Sequence, residues 1–350
     1  MKRYALKAML LIAVVVSPSI TPLLALDIIT KKSDAKKVNG TISAMTKNDL
    51  TLKRAQGEET IAANDIALIE WEGGGPELKL AYADENGGRY EQAIQRFTKA
   101  KNDAKSPSDF LKGEYEYALA RVVAKQALAD PDKRTQAIQK LQAVQKAYAD
   151  HIRFYDSVLF LSQIQLAAKD FSGARTTLES LKKAPWSDVV MSAKIAEARV
   201  LMGEGKIDEG IAAFEAAAGS AGDSPADVAR KYEAMLGHAN GLIKQTKYEE
   251  ALKILDVVTE KGPVEDSAVQ AEAYVLEGQA LQALGRNKEA ALAYLHVDVL
   301  FPREAGYHAE ALYQLSNLWK LVQHPDRSAE AAGKLVQIYP NSEWRQKLGN

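Results

Sequence analysis

The chain has 350 residues, with 45 lysines and arginines against 46 aspartates and glutamates, which gives a formal net charge of −1. Because both signs are mixed along the chain, this balance excludes the basic footprint of a nucleic-acid-binding protein. The absence of cysteine excludes a disulfide framework, a thiolate metal site and a lipid-modified cysteine.

The first 25 residues predict a secretory signal peptide. Lys2, Arg3 and Lys7 precede an apolar run at 8–16, and the small Ala25 suits a cleavage site. An uncleaved N-terminal membrane anchor is the alternative, because apolar residues resume just before this alanine. Two prolines interrupt that run, however, and leave it short of the roughly 20 residues that span a bilayer. We therefore expect a bacterial periplasmic or secreted protein.

Residues 26–75 predict a small all-β module. Apolar and polar residues alternate over 38–44 and 49–53, and two further short runs follow at 59–61 and 65–71. Turn residues separate these runs, which is typical of short strands in a meander. Since so few residues bury little surface alone, we expect a small barrel or packing against the first helices. The order Gly-x-Ile, Leu-x-Leu and Asp-Ile-x-x-Ile resembles an Sm-like barrel, without residues that would bind nucleic acid.

From Pro76 onwards the chain repeats a helical unit. Three glycines precede this proline, a combination that ends a strand and opens a helix. Seven small residues then recur at intervals of 36 to 44 residues: Ala93, Ala137, Ala174, Gly210, Ala251, Ala290 and Ser328. A period in this range indicates a solenoid, in which each helical pair covers the apolar face of its neighbour. The second unit, around residues 108–149, departs from the others with a longer first helix.

One unit shows the pattern of the repeat most fully. Its aromatic, small, turn and closing positions are Tyr274, Gly278, Gly285, Ala290, Tyr294 and Pro302. Small residues let two helices cross closely, larger apolar ones fill the gap to the next pair, and proline ends the second helix. This pattern resembles the tetratricopeptide repeat. The resemblance implies a mainly α protein, whose residues 76–350 form a right-handed α-solenoid of about seven helical hairpins after the β module.

The last units resemble a particular variety of these repeats. Stretches 300–304, 309–313 and 338–342 are similar to repeats of bacterial envelope proteins, namely the Tol–Pal periplasmic coordinator and the lipoprotein of the outer-membrane β-barrel assembly machine. The similarity implies association with the cell envelope and agrees with the predicted signal peptide. The chain departs from the assembly lipoprotein because it has no cysteine to carry a lipid.

Enzyme and cofactor motifs are missing from the sequence. It contains no His-Glu-x-x-His and no Gly-x-Ser-x-Gly, and the run at 203–207 lacks the spacing of a phosphate loop. The five histidines are scattered, and we expect them at the surface or in a groove rather than on a metal. Most carboxylates neighbour lysines, as on a solvated face. We therefore expect no enzyme activity, no metal and no cofactor.

The resemblance to tetratricopeptide repeats also implies a concave groove lined by the first helix of each pair. The residue after the small contact position of that helix would point into the groove. Along the chain this position gives Tyr82, Gln126, Gln163, Arg199, Asn240, Gln279 and Asn317. Amides predominate, and because an amide both donates and accepts, such a column can hold the backbone of an extended peptide. An acidic wall seven residues earlier would favour basic segments: Asp156, Glu233, Glu272 and Glu310.

The sequence therefore predicts a non-catalytic protein–protein interaction scaffold that grips an extended peptide or a partner domain in its groove. The candidate groove residues are Gln163, Arg199, Glu233, Asn240, Glu272, Gln279, Glu310 and Asn317. Ordinary solvent-facing helix surface is the alternative for these residues. The alternative function is a self-associating structural component of an envelope assembly, acting through the β module and the convex face. We expect protein or peptide partners and no nucleic acid, with homo-oligomers left open.

Overall fold

The computed structural model describes residues 26–348, so the predicted signal peptide at 1–25 lies outside the described residues. Five antiparallel strands come first and form one sheet with the order β4-β3-β2-β1-β5. Their bounds are β1 Asp27–Lys31, β2 Lys37–Met45, β3 Asp49–Arg54, β4 Gly57–Ala62 and β5 Ile66–Glu70. Strands β1 to β4 follow one another as hairpins, whereas β5 returns to pair with β1. The sheet is therefore a meander with one crossover.

The alternation in the sequence decides which face of the sheet is buried. In β2 the buried residues are Val38, Gly40, Ile42 and Met45, and the last of these breaks the two-residue period. A β-bulge between Ile42 and Ala44 inserts the extra residue and restores the inward direction. On β3 the alternating leucines, Leu50 among them, are fully buried. One face of the small sheet is thus continuously apolar.

Fifteen α-helices follow within the described residues. They are α1 Gly75–Asn86, α2 Tyr90–Asp103, α3 Asp109–Ala129, α4 Arg134–Ala147, α5 Phe154–Ala167, α6 Phe171–Leu178, α7 Ser187–Gly203, α8 Ile207–Gly219, α9 Pro225–Lys244, α10 Tyr248–Lys261, α11 Ser267–Ala283, α12 Asn287–Leu300, α13 Ala305–Leu321, α14 Pro325–Ile338 and α15 Glu343–Lys347. The first fourteen form seven consecutive antiparallel pairs, and α15 packs after the last pair. A helical solenoid preceded by a small antiparallel sheet, as the sequence predicts, is confirmed.

Short turns join the two helices of each pair, and their geometry explains the turn glycines. Six of the seven turns place one residue in the left-handed region: Gly88, Lys169, Gly205, Thr246, Gly285 and Gln323, with φ between 60° and 84°. Glycine adopts this conformation without strain, so its recurrence there has a steric cause. The turn of the second pair differs, because a 3₁₀ turn at Pro131–Lys133 joins α3 to α4.

The small residues that define the repeat lie where the helices of a pair cross. Ala93, Ala137, Ala174, Ala251 and Ala290 are fully buried, and the remaining two members of the series are buried as well. Large side chains from the second helices also pack against the first helix of the same pair. The clearest case is Tyr294 of α12, whose ring lies so close to Gly278 of α11 that a Cβ there would approach it to 2.7 Å.

The β module shares its core with the first helical pairs. Trp71, which follows β5, belongs to the same apolar cluster as Phe97 of α2 and Tyr115 of α3. Farther along the solenoid, the hydroxyl of Tyr155 at the start of α5 donates to the side-chain oxygen of Asn48 at 3.0 Å. The module therefore packs along the N-terminal ends of the first helices, as an extension of the solenoid core.

The end of the solenoid contacts its beginning. Helix α13 packs against α3, and a Cβ on Gly306 would lie 3.8 Å from the Cβ of Leu128. Three polar contacts surround this point and join residues more than 200 positions apart: Tyr90 Oη donates to the Arg303 carbonyl at 2.8 Å, Arg134 pairs with Glu343 at 2.6 Å, and Asn341 donates to Asp130 at 3.4 Å. We call this region the closing contact. No helix in the described part of the chain is long and apolar enough to cross a membrane.

Candidate functional site

The first helices of neighbouring pairs are joined by a repeated hydrogen bond. A residue of the predicted groove column donates to a carboxylate on the first helix of the next pair. Three bonds follow this rule: Tyr82 to Glu114 at 2.6 Å, Arg199 to Glu233 at 2.6 Å and Gln279 to Glu310 at 2.7 Å. In each, the carboxylate lies at the acidic-wall position of the next unit. The column and the wall are therefore partners of each other.

The partners of Arg199 extend this network across four pairs. Its guanidinium donates to Glu233 of α9 and, at 3.3 Å, to Glu272 of α11. Glu233 also accepts from Arg230 at 2.5 Å, and Glu272 accepts from the hydroxyl of Tyr307 of α13 at 2.8 Å. Two arginines thus neutralise two glutamates. The predicted acidic wall is therefore not free at these two positions, because both carboxylates already have cationic partners.

Burial and the ion-pair partners shift the pKa values of Glu233 and Arg199 in opposite directions. Burial alone would raise the pKa of Glu233, but the charges of Arg199 and Arg230 hold it below its usual range. The pKa of Arg199 is raised, since its two glutamates outweigh the opposing effect of burial. Burial raises the pKa of Glu310, because it outweighs the hydrogen bond from Gln279 and the charge of Lys347. Arg199 and Glu233 therefore stay ionised at neutral pH.

A second interior cluster lies between α1, α3 and α5. Arg121 forms a bidentate pair with Glu85 of α1, at 2.7 and 2.5 Å, and its guanidinium lies 5.0 Å from the ring centre of Tyr117. Arg153, the residue just before α5, donates to the fully buried Glu114 at 3.0 Å. Burial would raise the pKa of Glu114, but the Arg153 and His151 charges and its hydrogen bonds lower it to about 2. This cluster holds the first three pairs together.

The second unit shows where the register of the predicted column fails. Gln126 donates to Glu91 of α2 at 2.7 Å and does not occupy the groove position. Arg121 occupies it, because it follows the buried small residue Ala120 and lies seven residues after Glu114, as in the other units. The unit has about five extra residues, and they fall after this position, in the last turn of α3 and the 3₁₀ turn. In four other units the groove residue follows an acidic residue by seven positions. The same spacing from Glu114 to Arg121 is visible in the sequence and would have identified Arg121.

A cavity of about 350 Å³ opens where the third to sixth pairs meet. Its apolar lining comes from Leu166, Phe171, Met202 and Phe214, and its polar lining from Lys169, Arg199, Asn240, Lys244 and Glu272. Two glycines allow the aromatic rings to approach the helix backbones. A Cβ on Gly203 would lie 2.6 Å from the ring of Phe171, and one on Gly237 would lie 2.2 Å from the ring of Phe214. The cavity thus combines an apolar floor with a polar rim.

Three of the eight predicted groove residues line this cavity, namely Arg199, Asn240 and Glu272. The side-chain amide of Asn240 has no hydrogen-bond partner among residues 26–348, so both its donor and its acceptor are available. Glu233 supports the cavity through its bond to Arg199. The remaining four lie elsewhere. Gln163 is exposed, Gln279 and Glu310 bond to each other, and Asn317 donates to the Tyr313 carbonyl of its own helix at 3.2 Å.

Two histidines are buried in the interior, whereas the sequence predicts histidines at the surface or in a groove. Nε2 of His151 lies 3.0 Å from the carbonyl of Phe110, and His308 lies between Asp298 at 3.0 Å and the hydroxyl of Tyr339 at 2.9 Å. Both rings bridge neighbouring helical pairs. In the part of the chain that the structure describes, no group of three or more histidines and carboxylates has the arrangement of a metal site.

Comparison with known proteins bears on the fold. No protein-family model matches the chain, and no curated protein matches it. Among solved structures, a Rap protein complexed with competence and sporulation factor aligns over 77% of this chain and 73% of its own, with a TM-score of 0.55 and 14% identity. The fold is a tetratricopeptide-like α-solenoid.

Two further solved structures align at lower scores. A tetratricopeptide repeat protein from Parabacteroides merdae aligns over 78% of this chain and 95% of its own, with a TM-score of 0.47 and 14% identity. YrrB, described as a TPR protein with an unusual peptide-binding site, aligns over 55% of this chain and 90% of its own, with a TM-score of 0.34 and 16% identity. At these scores neither alignment adds to the assignment of the fold.

Proposed function

We propose that the protein is a non-catalytic interaction scaffold, which binds an extended segment of a protein partner at the cavity between its third and sixth helical pairs. The observation that carries this proposal is the unpaired amide of Asn240 above an apolar floor. An amide in this position can donate to one backbone carbonyl of the segment and accept from one backbone N–H. The apolar floor beneath it would accept one side chain.

The dimensions and the fold support the same proposal. A volume of about 350 Å³ lies at the lower end of the roughly 300–1,000 Å³ typical of ligand sites. The Rap structure that the solenoid resembles is a complex with competence and sporulation factor. The polar side chains that line the cavity are two lysines, one arginine, one glutamate and one asparagine. They do not include a nucleophile next to a general base, as an active site would. Binding therefore explains the cavity better than catalysis does.

The cellular setting is a second part of the proposal. We propose that residues 1–25 direct export to the periplasm or out of the cell, or hold the chain at the membrane, and that 26–75 and 76–350 act as β module and solenoid. The similarity of the last repeats to envelope proteins supports an envelope role. The Sm-like character of the module finds support in its strand order, in which β5 pairs with β1. The module would then act as a rigid cap.

One observation favours self-association as a second candidate function. On the outer face of α12, Leu292 and Val299 are exposed at 54% and 65% and lie seven residues apart, on the same side of the helix. An assembly through this face would cover them. Light scattering over a hundredfold range of concentration tests it, because a mass that stays monomeric throughout removes this candidate.

Selection from a random heptapeptide library tests the main proposal. Each heptapeptide is displayed between two linkers, so that neither end is free, and it is selected on the wild-type protein and on Asn240→Ala. We expect selected peptides to bind Asn240→Ala about 3- to 10-fold more weakly, the effect of losing hydrogen bonds to a neutral amide. Asn102→Ala, on the exposed surface of α2, is the matched control and should bind as the wild type does.

Thermal unfolding of the same three proteins separates binding from stability. Because the Asn240 amide has no hydrogen-bond partner among residues 26–348, its removal should leave the melting temperature within about 1 °C of the wild type. A library that yields no enriched peptide on the wild-type protein would contradict the proposed function. A large fall in melting temperature for Asn240→Ala would instead give this amide a structural role.

A further inference from the structure

We propose that the segment bound at this cavity is acidic, with an apolar side chain between two Asp or Glu side chains. The inference rests on the proposed function and specifies the chemistry of the partner. It reverses the expectation from the sequence, in which an acidic wall selects basic segments. The reversal comes from the pairing of charges inside the solenoid.

Four of the twelve residues that line the cavity are charged: Lys169, Arg199, Lys244 and Glu272. Arg199 and Glu272 neutralise each other and are held by further partners. The two lysines have no ion-pair partner among residues 26–348. The charge left available at the cavity is therefore positive, although the neighbouring helices carry the glutamates of the predicted wall.

The placement of the two lysines suggests two separate carboxylates. Lys169 lies in the turn between α5 and α6 of the third pair, whereas Lys244 ends α9 of the fifth pair. They flank the cavity from different pairs, and both are exposed at its rim. Lys244 follows Asn240 by four residues, so the ammonium and the free amide lie on one face of α9. A carboxylate beside a backbone amide could contact both of them.

The floor between the lysines accepts an apolar side chain. Phe171 and Phe214 present their rings, and Met202 adds a flexible thioether that adapts to different shapes. Because Gly203 and Gly237 lack a Cβ, the rings lie directly against the backbones of α7 and α9. A polar side chain on this floor would lose hydrogen bonds to water without replacement. The preferred order in the segment is therefore acidic, apolar, acidic.

Charge reversal at the rim gives the decisive experiment. The displayed heptapeptide library is selected on the wild-type protein and on the double variant Lys169→Glu/Lys244→Glu. The control is Lys261→Glu/Lys288→Glu, which changes the net charge equally through two exposed lysines away from the cavity. Neither end of the displayed peptide is free, so a terminal carboxylate cannot account for the selection.

We expect the wild type and the control to enrich Asp and Glu around an apolar residue, and the rim variant to enrich Lys and Arg. A selected acidic peptide, capped at both ends, should bind the rim variant at least tenfold more weakly, and raised salt should weaken its binding to the wild type. The same acidic peptides on the rim variant would overturn this inference and leave the proposed function standing. No enriched peptide on the wild type would overturn the proposed function itself.

Discussion

The closing contact makes a direct prediction about the shape of the solenoid in solution. Leu128 of α3 and Gly306 of α13 lie in pairs far apart in sequence, yet a Cβ on the glycine would lie 3.8 Å from that of the leucine. The Cβ atoms of disulfides lie about 3.8 Å apart. Because the chain has no cysteine, Leu128→Cys/Gly306→Cys contains one pair of thiols and no competing partner. We expect this pair to oxidise to an intramolecular disulfide.

The length of the closed loop sets the size of the effect. A disulfide across about 180 residues removes enough entropy from the unfolded chain to stabilise the folded state by about 5 kcal/mol in the chain-entropy limit. Engineered disulfides deliver less than this limit, and Leu128 is partly buried, so its truncation costs about 1–2 kcal/mol. We therefore expect a net gain of about 2–4 kcal/mol over the wild type, measured as the difference in the free energy of unfolding in urea between the oxidised variant and the wild type.

A second cysteine pair controls for adventitious oxidation. Gly333 on α14 has no atom within 4 Å of the position of a Cβ, so Leu128→Cys/Gly333→Cys keeps one thiol and moves the other to an open surface. It should stay reduced under the same conditions. If thiol titration finds the Leu128/Gly306 pair free after oxidation, or if mass spectrometry finds only linked dimers, the ends of the solenoid do not meet in solution.

Three further predictions concern stability. Burial, with smaller effects of neighbouring charges, raises the pKa of Glu277 to about 7. Between about pH 4.5 and 7 the folded state therefore keeps a proton that the unfolded chain loses, which destabilises the fold at higher pH. Glu277→Gln should raise the free energy of unfolding by about 1–2 kcal/mol at pH 8 and change it little at pH 4, measured in urea titrations. Glu114→Ala removes the buried partner of Arg153 and leaves it only the exposed Asp156 at 3.7 Å. It should cost about 3–5 kcal/mol at pH 7, with the difference from wild type shrinking as the pH falls from 4.5 towards the lowered pKa of about 2. Gly278→Ala drives a methyl group against Tyr294 and should lower the free energy of unfolding by about 1–2 kcal/mol, whereas Gly333→Ala meets open space and should raise it by up to about 1 kcal/mol.

The parts of this fold that sequence predicts are those that each helical pair decides locally. Two helices can cross closely only where a small residue lies, so Ala93 and Ala290 mark their crossings in the sequence as well as in the structure. A turn residue in the left-handed region favours glycine, so Gly285 marks the turn of its pair in the sequence. The need for a small residue at the crossing and for glycine at the turn recurs in each unit. The repeat can therefore be recognised in the sequence without knowing which distant residues are in contact.

The partners of the groove residues depend on two units at once and were not predicted. Glu272 precedes the groove residue Gln279 by seven positions, and this spacing predicts its place on the inner face. Its neutralisation by Arg199, two pairs away, follows instead from the curvature of the solenoid. In the second unit, a count from the small residue of α4 passes through an insertion and reaches Gln126 instead of Arg121. The closing contact depends on the rotations accumulated over all seven pairs, so no single unit encodes it.

These long-range contacts bear on how tightly the proposed site can bind. In an open solenoid each unit touches only its neighbours, so the groove changes its curvature at little cost, and a ligand must then restrict that motion. Here the β module holds the first helices from one side, and the closing contact joins the last pair to the second. A change of curvature at the central cavity would have to break one of these contacts. The cavity is therefore held in one shape before binding, and a segment that fits it would pay chiefly for its own ordering.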